Sequence, residues 1–217
     1  MNNSGSLSDL TLKDFLASIA SKEPVPGGGS VSALCGSLGV ALAQMVTNLT
    51  LGKKKYADVE EDMEKMASYF NEFSEYFIDD IDTDSEAYNN VFSAFALPKE
   101  TDEEKEKRAE LIQTATKLAA KVPLHVAKKA CMVMDAINIV ARLGNSNAVT
   151  DACVAMMCAR TAVLGALLNV RINLLSINDE VFVEKFKTDA DELEKKAIEK
   201  ETELLEWIKG IFEKSSE

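Results

Sequence analysis

Two acids and a glycine-rich turn are the groups of this chain best placed to do chemistry. Asp84 lies four residues before Tyr88, so the two share a helix face, and Asp151 shares one with Asn147 a turn earlier. The turn is Pro24-Val25-Pro26-Gly27-Gly28-Gly29-Ser30, and it opens a run from Val31 to Gly52 without a formal charge. Its prolines keep the approach extended, its glycines permit close contacts, and Ser30 reads as the N-cap of a helix starting at Val31. Unpaired N–H groups and the positive dipole end at such a start hold a carboxylate, a phosphate or a polarised heterocycle.

Each of these groups also has a plainer reading. A Gly-rich turn can simply precede a buried helix, Asn145 and Asn147 can cap or turn the chain, Asp151 can stabilise a helix start, and Asp84 can be one solvated acid among many. Lys53-Lys54-Lys55 complements a helix C-terminus or draws an anionic ligand tail. His125, the only histidine, cannot anchor a multi-histidine metal site; one turn after Pro123 it reads as structural or surface.

The elements that must position these groups are helices. Leu12 to Ala20 carries helical apolar spacing behind Thr11, and Val59 to Ile81 is amphipathic and runs on towards Phe95. Leu97-Pro98-Lys99-Glu100-Thr101 breaks the pattern, and Thr101 with three following acids starts a helix to Lys121. Pro123 is expected to kink or restart the chain into a segment ending near Gly144. Asn145-Ser146-Asn147 precedes a long helix carrying Asp151, and a Glu/Lys-rich helix from about Asp179 to Phe212 forms a solvated outer layer. Two uncharged or weakly charged helices, Val31 to Leu51 and Asn147 to Leu175, need more cover than one chain of this size readily gives, which points to a subunit interface. Val31 to Leu51 is long enough to span a bilayer, but its Ser, Thr, Asn and Gln residues and its lack of aromatic anchors read as a buried helix and no membrane.

Composition narrows the classes. The chain has 217 residues, is 47% hydrophobic and only 6% aromatic, which suits one helical domain over residues 1–217. A net charge of −12 argues against a nucleic-acid partner or an anionic membrane. Cys35, Cys131, Cys153 and Cys158 form no CxxC pair, so reduced core thiols, a cytoplasmic setting and no zinc are expected. Met1 to Leu7 lacks the basic start and apolar core of a secretion signal.

Taken in order, Pro24 to Ser30, Asn48-Leu49-Thr50-Leu51-Gly52-Lys53-Lys54-Lys55-Tyr56, Leu97-Pro98-Lys99, Val122-Pro123-Leu124, Gly144-Asn145-Ser146-Asn147 with Asp151, and Asn169-Val170-Arg171-Ile172-Asn173-Leu174 resemble the formiminotetrahydrofolate cyclodeaminase/methenyltetrahydrofolate cyclohydrolase family over nearly the whole chain. Thr150 stands where serine precedes the aspartate in many relatives, a mild exchange of hydroxyls. The resemblance is to the stand-alone bacterial form. It implies an all-α, multi-helix up-and-down bundle with long central buried helices, assembling as a homodimer, that takes a tetrahydrofolate derivative as substrate and needs no further cofactor and no metal.

Two reactions fit the resemblance. A cyclohydrolase adds water to the bridging carbon of 5,10-methenyltetrahydrofolate and opens it to 10-formyltetrahydrofolate. A cyclodeaminase closes N10 onto the formimino carbon and expels ammonia. The cyclohydrolase is placed first, because the text around Gly52 to Ala57 and Leu97 to Glu104 looks closest to stand-alone cyclohydrolases. A helical dimer that binds folate or a protein without catalysis is the third reading. What the resemblance implies for residues is an acid–base role for Asp84 or Asp151 and substrate orientation by Asn145 and Asn147. Pro26, Gly27, Gly28, Gly29 and Ser30 would form a pocket wall joined by Tyr88, with Lys54 and Lys55 meeting the glutamate tail.

Overall fold

A computed structural model describes residues 6–214, so five residues of the opening Met1 to Leu7 stretch lie outside the described residues. Six α-helices follow in order: α1 Leu12–Ile19, α2 Gly28–Asn48, α3 Glu60–Phe95, α4 Asp102–Leu143, α5 Val149–Leu174 and α6 Glu180–Lys214. Short 3-10 turns at Leu7–Asp9, Lys54–Val59 and Ser146–Ala148 join them, and among the described residues no strand occurs. Short connections between long helices give an up-and-down order. Helix α2 packs between α3 and α5, α4 lies along α5 and α3, and α6 covers α5 and α4.

The apolar spacing explains this arrangement. Ala33, Val40, Ala43 and Val46 of α2 are fully buried, as are Phe70 and Phe77 of α3 and Ala155, Ala162, Ala166 and Val170 of α5. Small residues let α2 and α5 approach closely: a Cβ on Gly39 would stand 3.0 Å from the carbonyl oxygen of Ala155. The uncharged helix α2 and the weakly charged helix α5 are long and apolar enough to cross a membrane by length and composition, yet half of each such window is buried inside the bundle. Thr101 caps α4 through a reciprocal capping box with Glu104, and Thr11 caps α1 by accepting from the Asp14 N–H at 3.2 Å.

Two expectations are corrected. Helix α2 begins at Gly28 with Gly27 as its N-cap, three residues before Val31, so Ser30 is not a cap but lies in the first turn, fully buried. The cap position needs no side chain because α3 supplies a carboxylate there, as described below. Pro123 does not restart a helix: α4 runs unbroken from Asp102 to Leu143 with Pro123 inside it. The proline removes the N–H that would pair with the carbonyl of Ala119, and the Asn173 side chain donates to that carbonyl at 3.0 Å instead.

Candidate active site

The start of α2 and the middle of α3 build the site. Asp84 projects from α3 onto the first turn of α2, so close to Gly29 that a Cβ there would overlap the Asp84 carboxylate. A helix start ordinarily takes such a carboxylate from its own N-cap residue; here it comes from another helix, and glycine at 29 makes room for it. Ser30 holds the pair from beneath. Its hydroxyl donates to the carbonyl of Ile81 at 2.8 Å and lies 3.4 Å from Asp84 Oδ2 and 3.1 Å from Ser85 Oγ.

Burial pushes the Asp84 carboxyl above the ordinary carboxylate range, and the charge of Asp80 adds to this, while the backbone N–H and hydroxyl of Ser30 oppose it. A carboxyl so poised can exchange a proton nearer neutral pH than a solvated one. One turn earlier, Asp80 is only 8% exposed and both its oxygens accept from Lys129 Nζ of α4, at 3.1 and 2.9 Å.

Asp84 opens into a cavity of about 330 Å³. Its wall includes Pro24, Val25 and Gly27 to Gly29, with Asp84, Tyr88 and Val91 of α3, Ala119 of α4, and Asn169, Ile172 and Asn173 of α5. The Val25–Pro26 peptide is cis, and Pro26 itself is buried in the turn. Asn169 donates to the Gly165 carbonyl at 2.9 Å, and Asn173 to the carbonyls of Asn169 and Ala119 at 2.9 and 3.0 Å. Both Asn173 N–H groups are thus engaged and it offers a ligand its Oδ1 acceptor, while Asn169 offers its Oδ1 and keeps one N–H. The cavity therefore combines a carboxyl able to move a proton, amide acceptors for a heterocycle bearing N–H groups, and an apolar rim of Val91, Ile172 and Tyr88.

The remaining sequence candidates gather elsewhere. Asn145 caps the 3-10 turn before α5; its Oδ1 accepts from the Asn147 N–H at 3.1 Å, its Nδ2 donates to Leu49 O at 3.0 Å, and its own N–H donates to Thr50 Oγ1 at 2.8 Å. Tyr56 Oη accepts from the Ser146 N–H at 3.0 Å and stands 3.2 Å from Ser146 Oγ, and Lys55 Nζ lies 3.4 Å from that same Oγ. The hydroxyl and N–H of Ser146, with Lys55 adding its charge, draw the Tyr56 hydroxyl down to about 8. Lys54 and Asn147 are exposed, and Asp151 sits in the first turn of α5.

This second cluster adjoins the C-terminal end of α2, whereas Asp84 adjoins its N-terminal end. Twenty-one residues separate the ends by about 30 Å. Within one chain, then, Asp84, Tyr88 and the glycine turn come together, and Asp151, Asn145, Asn147, Lys54 and Lys55 do not join them. The sequence reading assigned no role to Asn169, Asn173, Asp80 or Lys129. Asn169 and Asn173 carried a signal, two amides four apart on an otherwise apolar helix face; Asp80 and Lys129 carried none, since their pairing depends on how α3 meets α4.

Comparison with known proteins places the chain among relatives. Residues 11–192 match the family described as formiminotransferase-cyclodeaminase. The chain is 42% identical over 175 residues to a methenyltetrahydrofolate cyclohydrolase of Methylorubrum extorquens, covering 81% of this chain and 84% of that protein. It is 35% identical over 180 residues to formimidoyltransferase-cyclodeaminase of Mus musculus, where it spans 33% of the relative. The crystal structure of formiminotetrahydrofolate cyclodeaminase from Thermotoga maritima superposes with a TM-score of 0.85 at 30% identity, covering 95% of this chain and 99% of that one. An all-helical bundle is thus the class of fold, and the chain belongs to the formiminotransferase-cyclodeaminase family.

Proposed function

We propose that this chain is a methenyltetrahydrofolate cyclohydrolase, converting 5,10-methenyltetrahydrofolate to 10-formyltetrahydrofolate. The observation that carries the reading is the Asp84 carboxyl, raised by burial and set against Gly29 inside a cavity with amide acceptors. The similarity to a cyclohydrolase along most of both chains supports the choice of reaction.

In this reading the pterin N–H groups meet Asn169 and Asn173, and the bridging carbon lies beside Asp84. Asp84 takes a proton from water as the water oxygen bonds to that cationic carbon. Cleavage of the bond between carbon and N5 then leaves the formyl group on N10, with Asp84 returning a proton to N5; the second water proton leaves to solvent. The charge balances, since a cationic substrate and water give a neutral product and one proton. Tyr88 and Ile172 bracket the aromatic ring that follows N10.

The same reading includes a homodimer. Leu38, Met45 and Leu49 of α2 and Val154, Met157, Leu168 and Ile172 of α5 are exposed, and the free Cys35 and Cys158 of the same two helices are half-buried. A second copy across this charge-free face suits a two-fold axis, and one perpendicular to α2 would set the partner subunit's Lys54 and Lys55 towards the acidic end of α2 and the glutamate tail. Four free thiols support a reducing, cytoplasmic setting, and the charge of −12 supports a role without nucleic acid or membrane.

The test follows methenyl absorbance with purified protein, alongside ammonia release from 5-formiminotetrahydrofolate, both corrected for the uncatalysed reactions. Accelerated methenyl loss without ammonia release is expected. Efficient ammonia release would transfer the assignment to the cyclodeaminase, which the Thermotoga fold match favours. Asp84→Asn should lose turnover by about 10²-fold or more while still binding folate; undiminished turnover would refute the role of Asp84. Folate binding without turnover by the unaltered chain would leave a binding protein.

A further inference from the structure

Asp80 and Lys129 form a charged pair that the proposed reaction does not use. Lys129 reaches from α4 with both Asp80 oxygens in range, and its Nζ also lies 4.7 Å from the centre of the Tyr76 ring. Its side chain is 26% exposed and that of Asp80 12%. Such a pair is weak grounds for stability, because desolvating both charges offsets most of their attraction and an apolar pair of the same shape often does as well. Its position is what distinguishes it. Asp80 lies four residues before Asp84 on the same face of α3, so the two carboxylates are neighbours along one side of the helix.

We propose that Asp80, a buried carboxylate held by Lys129 one helical turn from Asp84 on the same face of α3, is a positioning residue that sets how Asp84 holds its proton. The inference rests on Asp84 as the acid–base group of the proposed reaction and names the part that sets its proton affinity. Every element around Asp84 fits. Helix α2 brings the uncharged Gly28, Gly29 and Ser30 to it, and α5 the uncharged Asn169 and Asn173. On α3, Tyr88 lines the same cavity, while Asp82 is engaged by the N-terminal segment through Ser6 Oγ and the N–H groups of Leu7 and Ser8. Helix α4 brings Lys129 and His125, both acting on Asp80, whose other charged neighbour is Asp79. Asp80 is thus the charged group that bears directly on Asp84, and its charge raises the Asp84 carboxyl. Burial raises the Asp80 carboxyl and Lys129 opposes that rise, favouring the charged form that acts on Asp84.

The experiment titrates carboxyl carbons by NMR in the whole protein labelled with carbon-13 at aspartate, assigning Asp84 by loss of its signal in Asp84→Asn. Asp80→Asn should lower the proton affinity of Asp84 by more than about twofold, and Asp80→Asn with Lys129→Met should move it the same way by less. The second variant removes both buried charges, so it keeps the test valid if the first, with an unpaired lysine, does not fold. A merely structural link would change melting temperature and leave the titration in place, so a change under about twofold in both variants overturns the proposal. In parallel, the acid limb of kcat/KM for 5,10-methenyltetrahydrofolate should move to lower pH by the same factor. A moved titration with an unmoved limb upholds the coupling of Asp80 to Asp84 and overturns the catalytic reading of Asp84, so the two failures are told apart.

Discussion

Asn173 of α5 donates its side-chain amide to the carbonyl of Ala119 in α4, at 3.0 Å. That carbonyl is the one whose helical partner Pro123 removes. A break inside α4 is thereby closed by a residue that also lines the cavity, which ties helix continuity to the site. Asn173→Ala should destabilise the fold by about 1–2 kcal/mol, since it leaves a buried acceptor unpaired. In a Pro123→Ala background the backbone N–H returns and the same substitution should cost less. Urea denaturation of the four proteins in a double-mutant cycle measures the coupling; equal costs in both backgrounds would contradict it.

Gly29 and Asp84 occupy space that only glycine leaves open. Alanine is a better helix former, so Gly29→Ala should keep the helical circular dichroism and shift the Asp84 carboxylate off the first turn of α2. Displacement of an acid–base group by about 1 Å costs on the order of 10²-fold in rate. Gly210→Ala, where an added Cβ meets nothing within 4 Å, is the control and should leave kcat/KM unchanged.

Much of this was legible in the sequence, and the limits have physical causes. Helix boundaries at Thr11, Thr101 and the Asn145 turn follow local capping chemistry, which a short window contains. The joint placement of Asp84 and Tyr88 follows from helical spacing alone. The start of α2 was misplaced because its cap comes from α3 across 54 residues of chain, and a hydroxyl at position 30 looks locally like an N-cap. Pro123 misled for the same reason, since the donor that mends α4 lies 54 residues away in α5. Grouping Asn145, Lys54 and Lys55 with Asp84 followed motif order, and order along a chain does not encode which end of α2 each motif meets.

The raised Asp84 carboxyl has a consequence for stability. Its folded value lies above the ordinary value near 3.9 of the unfolded chain, so between the two the native state binds more protons and stability falls as pH rises. The penalty is complete above the folded value and absent below the unfolded one. Asp84→Asn removes it, and should raise the melting temperature at pH 7 by about 1–3 °C, with the gain shrinking to nothing as pH falls below about 4. Scanning calorimetry across that range checks it. A gain that persists at low pH would assign the effect to something other than ionisation.

The homodimer reading makes the separated clusters meaningful. The ends of α2 differ in charge: Asp79, Asp82, Asp84 and Glu86 lie near its start, and Lys53 to Lys55 follow its end. A two-fold axis perpendicular to α2 across the α2–α5 face would set the two copies of α2 antiparallel, so that unlike ends meet. Leu38 is 49% exposed and Leu168 65% exposed on that face, and a carboxylate at either place would put a charge into the apolar seam between the copies. Leu38→Glu and Leu168→Glu should therefore yield folded monomers by light scattering, because neither side chain packs in the bundle core. If the partner subunit's lysines hold the glutamate tail, these monomers should also raise KM by about tenfold or more, and the effect should be smaller for a substrate analogue without the glutamate. Monomers with unchanged KM would confine the whole binding site to one chain, and dimers surviving both substitutions would place the interface on another face.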